Sequence, residues 1–281
     1  MRIAITGATG FLGSRILRLL VDQGHEVLSV GRTAPGGPIE HVSFDLSHDL
    51  APLRAPEVLI HAAAFIPEDQ LGSDSLECER LNGAGTLRLL AALGTTPPRT
   101  FINLSSSKIW RHEGQVTNPY EASKASAELF VNAFAVRSNF RALHLRLPYL
   151  YGPGMQHGRM FETFFARAMA DEPIELWNEG SDSLDLLYVD DAAEVVVSTL
   201  GEAPEGVWVL GTGKTVTTRE VAETIIQITG SHSELRFLAA TSSNAHAAFK
   251  AEAGVRHRSA GSVTSLRVGL QRMLTVEQAK R

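Results

Sequence analysis

The amino-acid sequence predicts an α/β fold: a doubly wound, mostly parallel sheet with a small C-terminal α/β domain. Short apolar, β-branched runs alternate with stretches of helical periodicity, an order typical of parallel sheets with helical crossovers. The 281 residues, 44% of them hydrophobic, are enough to bury a large core without disulfide bonds. The alternation becomes less regular after Pro148, where we expect the smaller domain to begin.

The elements of the first half follow one another closely. Residues 2–6 form a short buried strand, and Leu12, Ile16 and Leu20 then recur at helical spacing before Gly24 ends the helix. Further strands are predicted at 26–30, 41–44, 58–60, 100–104 and 142–147, and helices at 80–93 and 120–137.

In the second half, strands are predicted at 186–189 and 207–210, and a terminal helix near 263–274. We expect residues 1–148 to form the larger domain, with 184–211 returning to it. Residues 149–183 and 212–281 then form the smaller, substrate-binding domain.

Charge and composition exclude several classes of protein. The net charge of -5 gives no reason to expect nucleic acid as a partner. The single cysteine, Cys78, excludes an intrachain disulfide, and no apolar run reaches the ~18 to 20 residues of a membrane span. The ten histidines show no metal-ligand spacing. We therefore expect a soluble, cytoplasmic protein without a metal.

Three glycines follow the first strand: Gly7, Gly10 and Gly13. The first permits a tight turn, the second lets the backbone approach a pyrophosphate, and the third lets the helix pack close to the strand. The N-terminus of that helix then faces the phosphates. This strand–turn–helix context predicts a dinucleotide site of the Rossmann type, formed by Gly7, Thr9, Gly10, Phe11, Leu12 and Gly13.

Tyr120 and Lys124 form a Tyr-x-x-x-Lys pair, with Pro119 at the start of the predicted helix. Positions four apart lie on one helix face, so the phenol and the ammonium can reach a common point. A nearby ammonium, and the positive charge of an oxidised nicotinamide, favour the phenolate over a phenol whose ordinary pKa is about 10. We predict Tyr120 as the acid/base of a hydride-transfer enzyme and Lys124 as a ligand of the ribose hydroxyls.

The spacing Gly-x-x-Gly-x-x-Gly resembles the extended branch of the short-chain dehydrogenase/reductase superfamily, and the resemblance extends to about Glu220. Asp45-Leu46 resembles the pair that holds the adenine ring. His61-Ala62-Ala63 resembles the H-x-A segment that lines the nicotinamide side. Asn82 followed by Gly85-Thr86 resembles the N-x-x-G-T start of a helix.

A run of serines follows Leu104 and resembles the family segment S-S-x-x-V-Y-G, with Trp110 and Arg111 in place of its Tyr and Gly. The resemblance assigns the catalytic hydroxyl, which hydrogen bonds to the substrate oxygen, to Ser106. Ser107 is the alternative and is also expected to contact substrate. Ser105 and Pro148 are expected to contact the cofactor.

The end of the second predicted strand bears on the choice of cofactor. An acidic residue there would bind the 2′-hydroxyl of NAD, whereas an arginine accommodates the 2′-phosphate of NADP. The strand ends Val30-Gly31-Arg32 without an acid, which favours NADP, with NAD as the alternative.

Two later segments resemble the nucleoside-diphosphate-sugar epimerase/dehydratase family: 146–154 resembles R-x-x-N-x-Y-G-P-G, and 185–191 resembles R-D-F-x-x-V-x-D from its Asp onward. Tyr149 stands in place of the usual Asn and Leu184 in place of the usual Arg, at positions that commonly contact the substrate's diphosphate. Leucine cannot replace an arginine fork. The substrate is therefore a nucleotide sugar held in another way or a smaller carbonyl or alcohol. Asp190 is interpreted as a helix N-cap.

The residues narrow the chemistry within that family. The 4,6-dehydratases carry an acidic pair after the catalytic hydroxyl, whereas Ser107-Lys108 follow Ser106 here. The 3,5-epimerase-reductases need a Cys/His pair, and Cys78 lies outside the matching segment. An alcohol–ketone conversion remains, by a 4-epimerase or by a ketoreductase/dehydrogenase. A dinucleotide-sensing module without catalysis is the other alternative, although such modules generally lose the Tyr/Lys pair. The resemblance also implies a homodimer.

Overall fold

The computed structural model describes residues 1–48, 52–53, 56–67, 74–94, 96–110, 116, 118–155, 159–202, 205–239, 256–258 and 263–279. In chain order the strands within these ranges are β1 (Arg2–Thr6), β2 (Glu26–Gly31), β3 (Glu40–Ser43), β4 (Val58–His61), β5 (Thr100–Ser106), β6 (Arg141–Leu147), β7 (Tyr149–Tyr151), β8 (Ile174–Leu176), β9 (Ser183–Leu184), β10 (Leu186–Tyr188), β11 (Gly206–Leu210), β12 (Val216–Thr217), β13 (Leu235–Phe237) and β14 (Arg256–Arg258). The helices are α1 (Gly13–Asp22), α2 (Asp74–Glu77), α3 (Ala84–Ala92), α4 (Pro119–Ser138), α5 (Arg159–Met169), α6 (Val189–Ser198), α7 (Thr218–Thr229) and α8 (Leu266–Ala279).

The central sheet has the strand order β14-β11-β6-β5-β4-β1-β2-β3, and each neighbouring pair is parallel. The chain starts in the middle with β1, moves outward to β3, and then returns to fill the other half from β4 onward. This reversal places a crevice beyond the carboxyl ends of β1 and β4, where open α/β sheets bind their ligands. The doubly wound, mostly parallel fold predicted from the sequence is confirmed.

Helices cover both faces of this sheet. On one face, α1 and α6 pack on the apolar side chains of β1, β4, β5 and β6, including Ile5, Ile60 and Leu145. On the other face, α3 and α4 pack against Leu59 and Phe101. The two layers explain the continuous apolar runs of the central strands, because both faces of these strands are buried.

A second apolar core lies among α5, α7 and α8 and centres on Tyr151, Phe161 and Phe165. Three small two-stranded sheets accompany it: β7 pairs with β10 and β8 with β13 in parallel, and β9 pairs with β12 antiparallel. β11 and α6 belong to the large sheet and its core, so the chain leaves that layer after β6 and returns to it. β14 adds the edge strand next to β11.

Two of the predicted helices have clearly different bounds in the structure. The helix expected at 80–93 begins earlier, with α2, and passes through a π-helical segment, Cys78–Gly83, before α3. A π-helical turn contains one extra residue, which the spacing of apolar residues does not reveal. The terminal helix, expected near 263–274, runs instead from Leu266 to Ala279.

Candidate active site

The predicted glycine loop lies at the carboxyl end of β1 and leads directly into α1. Gly7 has a φ of 69°, and a Cβ there would lie 2.7 Å from the backbone nitrogen of Ala63. A Cβ on Gly13 would collide with the carbonyl oxygen of Gly7. Both glycines are therefore required by backbone packing, the first for the turn and the third for the close approach of helix to strand.

The same loop presents free hydrogen-bond donors. The amide of Gly10 closes the turn onto the Gly7 carbonyl at 2.9 Å. Within the described residues, the amides of Phe11 and Leu12 donate to no protein acceptor. Donors of this kind at a helix N-terminus suit phosphate oxygens, so the chain fits the pyrophosphate of a dinucleotide.

His61 is fully buried, and both of its ring nitrogens have a partner. Thr6 Oγ1 lies 2.7 Å from Nδ1, and Thr86 Oγ1 lies 2.9 Å from Nε2. Thr6 Oγ1 also accepts from the amide of Ala63, and the Thr86 hydroxyl donates to the Asn82 carbonyl. Only a neutral ring protonated on Nε2 satisfies both threonines. His61 thus links β4 to β1 through Thr6 and to α3 through Thr86.

Leu46, one of the two residues predicted for the adenine side, packs against the start of α3. Gly85 approaches Leu46 so closely that a Cβ on Gly85 would lie 2.8 Å from the Leu46 Cβ. Asp45 accepts hydrogen bonds from the amide and hydroxyl of Ser47, and these bonds lower the pKa of its carboxyl. Arg32 is exposed after β2, and its positive charge contributes to that lowering.

α4 carries the predicted Tyr-x-x-x-Lys pair on its first two turns. Asn118 caps the helix by accepting from the amide of Glu121 at 2.9 Å, and Pro119 occupies the first turn. Lys124 is buried and donates to the carbonyl of Leu104 on β5 at 2.6 Å. Tyr120 is half-buried at the start of the helix. The structure therefore brings Lys124 to the end of β5, two residues before Ser106.

Burial has the largest influence on the pKa values of both Tyr120 and Lys124. It raises the pKa of Tyr120 to about 12, with the nearby Cys78 and Glu121 adding to the effect. It lowers the pKa of Lys124 to about 8, opposed by the carboxylate of Glu128. The direction for Tyr120 is opposite to the expectation of a favoured phenolate, because burial of the phenol, Cys78 and Glu121 all raise its pKa.

The three serines at the end of β5 have different surroundings. Ser106 is buried, and its oxygen accepts from the amide of Lys108 at 3.2 Å. Among the residues that the structure describes, its hydroxyl donates to no acceptor. Ser105 instead donates to Glu128 at 2.5 Å. Ser107 is buried and begins a short helical turn. In the described part of the chain, Ser106 and Tyr120 do not hydrogen bond to each other.

Glu128 and Arg146 were not predicted as site residues. Arg146 on β6 binds both carboxylate oxygens of Glu128, at 3.0 and 2.7 Å, and both side chains are buried. Burial alone would raise the pKa of Glu128, but Arg146, His144 and Ser105 together hold it below its usual range. The position of Glu128, four residues after Lys124, was the available signal for its location.

Asn82 fixes another border of the site from the π-helical segment. Its side-chain oxygen accepts from the amide of Phe65, and its nitrogen donates to the Phe65 carbonyl and to Ser123. Ser123 in turn donates to the carbonyl of Tyr120. Asn82 therefore connects the chain that follows β4 to the first turn of α4.

The predicted substrate residues do not all reach the crevice. Leu184 is buried in the second core and pairs with Val216 through β9 and β12. Tyr149 is half-buried beside Phe161, with ring centroids 6.3 Å apart. The carboxylate of Asp185 accepts hydrogen bonds from the amide and the hydroxyl of Thr212.

The interpretation of Asp190 as an N-cap is wrong. The residue before the first turn of α6 is Tyr188, and Asp190 lies inside that turn. Its carboxylate pairs with Arg15 at 3.3 Å and with Arg18 at 3.6 Å. The Asp190 carboxylate is therefore bound by two arginines one helical turn apart on α1, and it does not cap the amides at the start of α6.

Arg15 joins the two sides of the crevice. Its guanidinium donates to the carbonyl of Phe11 in the glycine loop and to that of Pro153, in the loop after β7. It also pairs with Asp190 on α6.

No helix in the described ranges is long and apolar enough to cross a membrane. Nor do three His, Cys, Asp or Glu side chains of those ranges gather where they could hold a metal ion.

Comparison with known proteins gives a consistent result. The model of the NAD dependent epimerase/dehydratase family matches residues 3–211. The chain is 28% identical over 267 residues to UDP-glucose 4-epimerase of Mycolicibacterium smegmatis, covering 84% of this chain and 85% of that protein. It is 25% identical over 265 residues to dTDP-glucose 4,6-dehydratase of Streptomyces niveus, covering 82% and 78%.

Solved structures share the fold, among them MoeE5 and a UDP-glucose 4-epimerase. MoeE5 in complex with UDP-glucuronic acid and NAD superposes with a TM-score of 0.81 at 24% identity, over 100% of both chains. UDP-glucose 4-epimerase of Thermus thermophilus in complex with NAD gives a TM-score of 0.75 at 22% identity, over 99% of both chains.

Proposed function

The chain belongs to the NAD dependent epimerase/dehydratase family and is an enzyme, and we propose that it interconverts an alcohol and a ketone on a nucleotide sugar, with Tyr120 as acid/base. The observation that carries the proposal is the placement of α4. Its capped first turn presents Tyr120, and its second turn anchors Lys124 to the end of β5 beside Ser106. The glycine loop lies at the carboxyl end of β1 in the same sheet.

We propose that the residues predicted for the cofactor would hold it, except the side chain of Ser105, which donates to Glu128. The loop from Gly7 to Gly13 and the free amides of Phe11 and Leu12 would bind the pyrophosphate. Asp45 and Leu46 would hold the adenine side. Segments at the ends of β4 and β6 border the nicotinamide side, namely Ala62, Ala63 and Pro148, with His61 holding its segment in place. A bound nicotinamide supplies a hydride acceptor and donor.

The side chains move and hold one proton. Tyr120 removes the hydroxyl proton as the alcohol is oxidised and returns it when the ketone is reduced. Ser106 donates a hydrogen bond to the substrate oxygen and keeps its proton, while its own oxygen accepts from the amide of Lys108. The Lys124 ammonium opposes the effect of burial on Tyr120 and favours the phenolate that oxidation needs. A 4-epimerase returns the hydride to the opposite face of the same carbon.

We test this with UDP-glucose, UDP-galactose and UDP-glucuronic acid, following 4-epimer formation by proton NMR. The wild-type protein is expected to convert at least one of them. Tyr120→Phe is expected to lose on the order of 10²- to 10⁴-fold in kcat, the range for a positioned acid/base. Full activity of Tyr120→Phe would contradict the assignment.

A smaller carbonyl or alcohol is the second candidate substrate. Leu184 packs in the second core and offers no donor to a diphosphate, which supports this alternative. Oxidation or reduction of small carbonyl compounds, with none of the three nucleotide sugars turned over, would favour it. Cofactor binding without turnover of either class would instead favour a dinucleotide-sensing module.

For the cofactor we propose a preference for NADP over NAD. The support is local: Arg32 is exposed directly after β2, and no acid stands at that position to bind a 2′-hydroxyl. Titration with NADP and NAD is expected to show tighter NADP binding, and Arg32→Ala is expected to remove the difference. Arg236→Ala, an exposed arginine on β13, is the control. Equal or tighter binding of NAD by the wild type would overturn the preference.

We also propose a homodimer formed through α4. Leu129 and Val136, seven residues apart on one helical face, are 69% and 88% exposed, and Leu76 on α2 is 80% exposed. Such apolar exposure on adjacent helices suits an interface. Sedimentation is expected to give a dimer, and Leu129→Asp with Val136→Asp a monomer. A monomeric wild type would refute the proposal.

A further inference from the structure

One buried carboxylate, Glu128, lies behind the candidate active site and takes no part in the chemistry proposed above. It stands one helical turn after Lys124 on α4 and is 6% exposed. It accepts from Ser105 at 2.5 Å and from two nitrogens of Arg146 at 3.0 and 2.7 Å. Burying such a group is costly unless it is paired, and here each carboxylate oxygen has a charged partner.

The contacts of Glu128 continue a pattern that Lys124 begins. Lys124 donates to the carbonyl of Leu104, and Ser105 donates to Glu128. Successive turns of α4 are thus joined to successive residues of β5. Ser106 is the next residue of that strand, and Tyr120 is one turn earlier on that helix. The two contacts fix the end of β5 relative to α4 next to both proposed catalytic groups.

Arg146 extends this connection to a third element. It lies on β6, and Ser105 pairs with it in the register of the two strands. Its guanidinium holds both Glu128 oxygens and therefore fixes the rotamer of the carboxylate. Ser105, Glu128 and Arg146 form one buried unit across β5, α4 and β6, which we name the Glu128 unit.

We propose that Glu128 is a positioning residue: through the Glu128 unit it holds the end of β5 against α4, so that Ser106 and Tyr120 stay aligned on the substrate oxygen. The inference rests on the proposed function. Glu128 does not touch substrate in this proposal. Its effect is on the rate of the chemical step, because a misplacement of about 1 Å at a reacting group can lower the rate on the order of 100-fold.

The charge of Glu128 leads to a second expectation, on the pH dependence of kcat, that can be measured separately from the loss of rate. Three ionisable groups among the described residues interact with Lys124: Glu128 on its own helix, His61 on β4 and His144 on β6. Arg146, also on β6, acts on Glu128 and His144. Both histidines have lowered pKa values and are therefore neutral at pH 7. The carboxylate of Glu128 is the charge that counteracts the lowering of the Lys124 pKa by burial. Removing its charge is expected to lower the pKa of Lys124 further and move the alkaline decline of kcat to lower pH.

The experiment compares Glu128→Gln, Ser105→Ala and Ser105→Thr with Glu223→Gln, an exposed helix glutamate that pairs with Arg219. The kcat, the KM, the cofactor Kd and the pH profile are measured for each. Glu128→Gln is expected to lower kcat on the order of 10- to 100-fold, while KM and the cofactor Kd change less than about threefold. The alkaline decline in its kcat–pH profile is expected at lower pH than in the wild type. Glu223→Gln should match the wild type.

The serine variants keep the proposal testable if Glu128→Gln does not fold, since they leave the Glu128–Arg146 pair intact. Ser105→Ala is expected to lower kcat without the pH shift, and Ser105→Thr, which keeps the hydroxyl, should restore it. Wild-type kcat in Ser105→Ala, or equal losses in Kd and kcat, would overturn the positioning role. If Tyr120→Phe also kept its activity, the proposed function itself would have failed.

Discussion

Two buried histidines on one face of the central sheet show how single residues set the acid stability of this protein. His144 accepts from Asn103 at Nδ1 and donates from Nε2 to Asn132, so its ring is neutral like that of His61. Burial lowers the pKa of His61 to about 3 and that of His144 to about 4. Both are neutral when folded, and both take up a proton more readily when unfolded.

The sign of the pH effect follows from these values. Between pH 6.5 and about 4 the unfolded chain binds more protons than the native protein, so stability falls as the pH falls. Each histidine contributes about 1.4 kcal/mol per pH unit in that window. His144→Gln, which keeps a donor for Asn132, is expected to flatten the slope by one proton in urea unfolding measured from pH 6.5 to 4.5. An unchanged slope in His144→Gln would show that the ring is charged in the native state.

At this scale, the sequence predicted residues whose role follows from local backbone demands. Gly7 and Gly13 are required by a turn and a close approach within one strand–turn–helix unit. Glu128 and Arg146 could not be found in the same way, because their pairing depends on how α4 docks on β6. The assignments of Tyr120, Lys124 and Ser106 to catalysis stay predictions.

At the scale of an element, the first turn of α4 couples helix stability to the site. Asn118→Ala removes the side-chain acceptor for the Glu121 amide and is expected to cost about 1 kcal/mol in the free energy of unfolding. Because Tyr120 lies in that turn, kcat should fall as well. Thr217→Ala, which breaks the capping box of α7, provides a control with similar loss of stability. If both variants lost the same fraction of kcat at a temperature where both are folded, the link between cap and site would be rejected.

The segment from α2 to α3 shows why element boundaries were harder to predict than element types. The sequence indicated one helix at 80–93, but the structure begins at Asp74 and inserts a π-helical turn. Asn82 lies within that turn, where its side chain bonds to Phe65 and Ser123. The tertiary contacts of Asn82 accompany the altered backbone, and they are invisible to apolar periodicity.

At the scale of the whole molecule, we propose the division into a cofactor-binding domain, 1–148 with 184–211, and a substrate-binding remainder. The return of α6 and β11 to the large layer supports it. β14, from the remainder, also joins that sheet at its edge. A three-residue edge strand could not be found from sequence, because its own composition, Arg-His-Arg, does not resemble a buried strand.

The division has a measurable consequence for residues 1–148. These residues include six strands of the sheet, but Val189, Ala192 and Val196 of α6 help bury one face of it. Residues 1–148 expressed alone are expected to be insoluble or to bind a hydrophobic dye, whereas residues 1–211 should show less exposed apolar surface. A truncated 1–148 that unfolds cooperatively would contradict the expectation.

The late arrival of α6 also matters while the chain is being made. About fifty residues separate the end of β6 at Leu147 from the end of α6 at Ser198. At the usual pace of translation, the ribosome needs roughly 3 to 10 seconds to add them. During that interval α1 alone covers this face of the nascent sheet, and the apolar surface that α6 will bury stays exposed. This stretch of synthesis is therefore the period when a chaperone has most to bind.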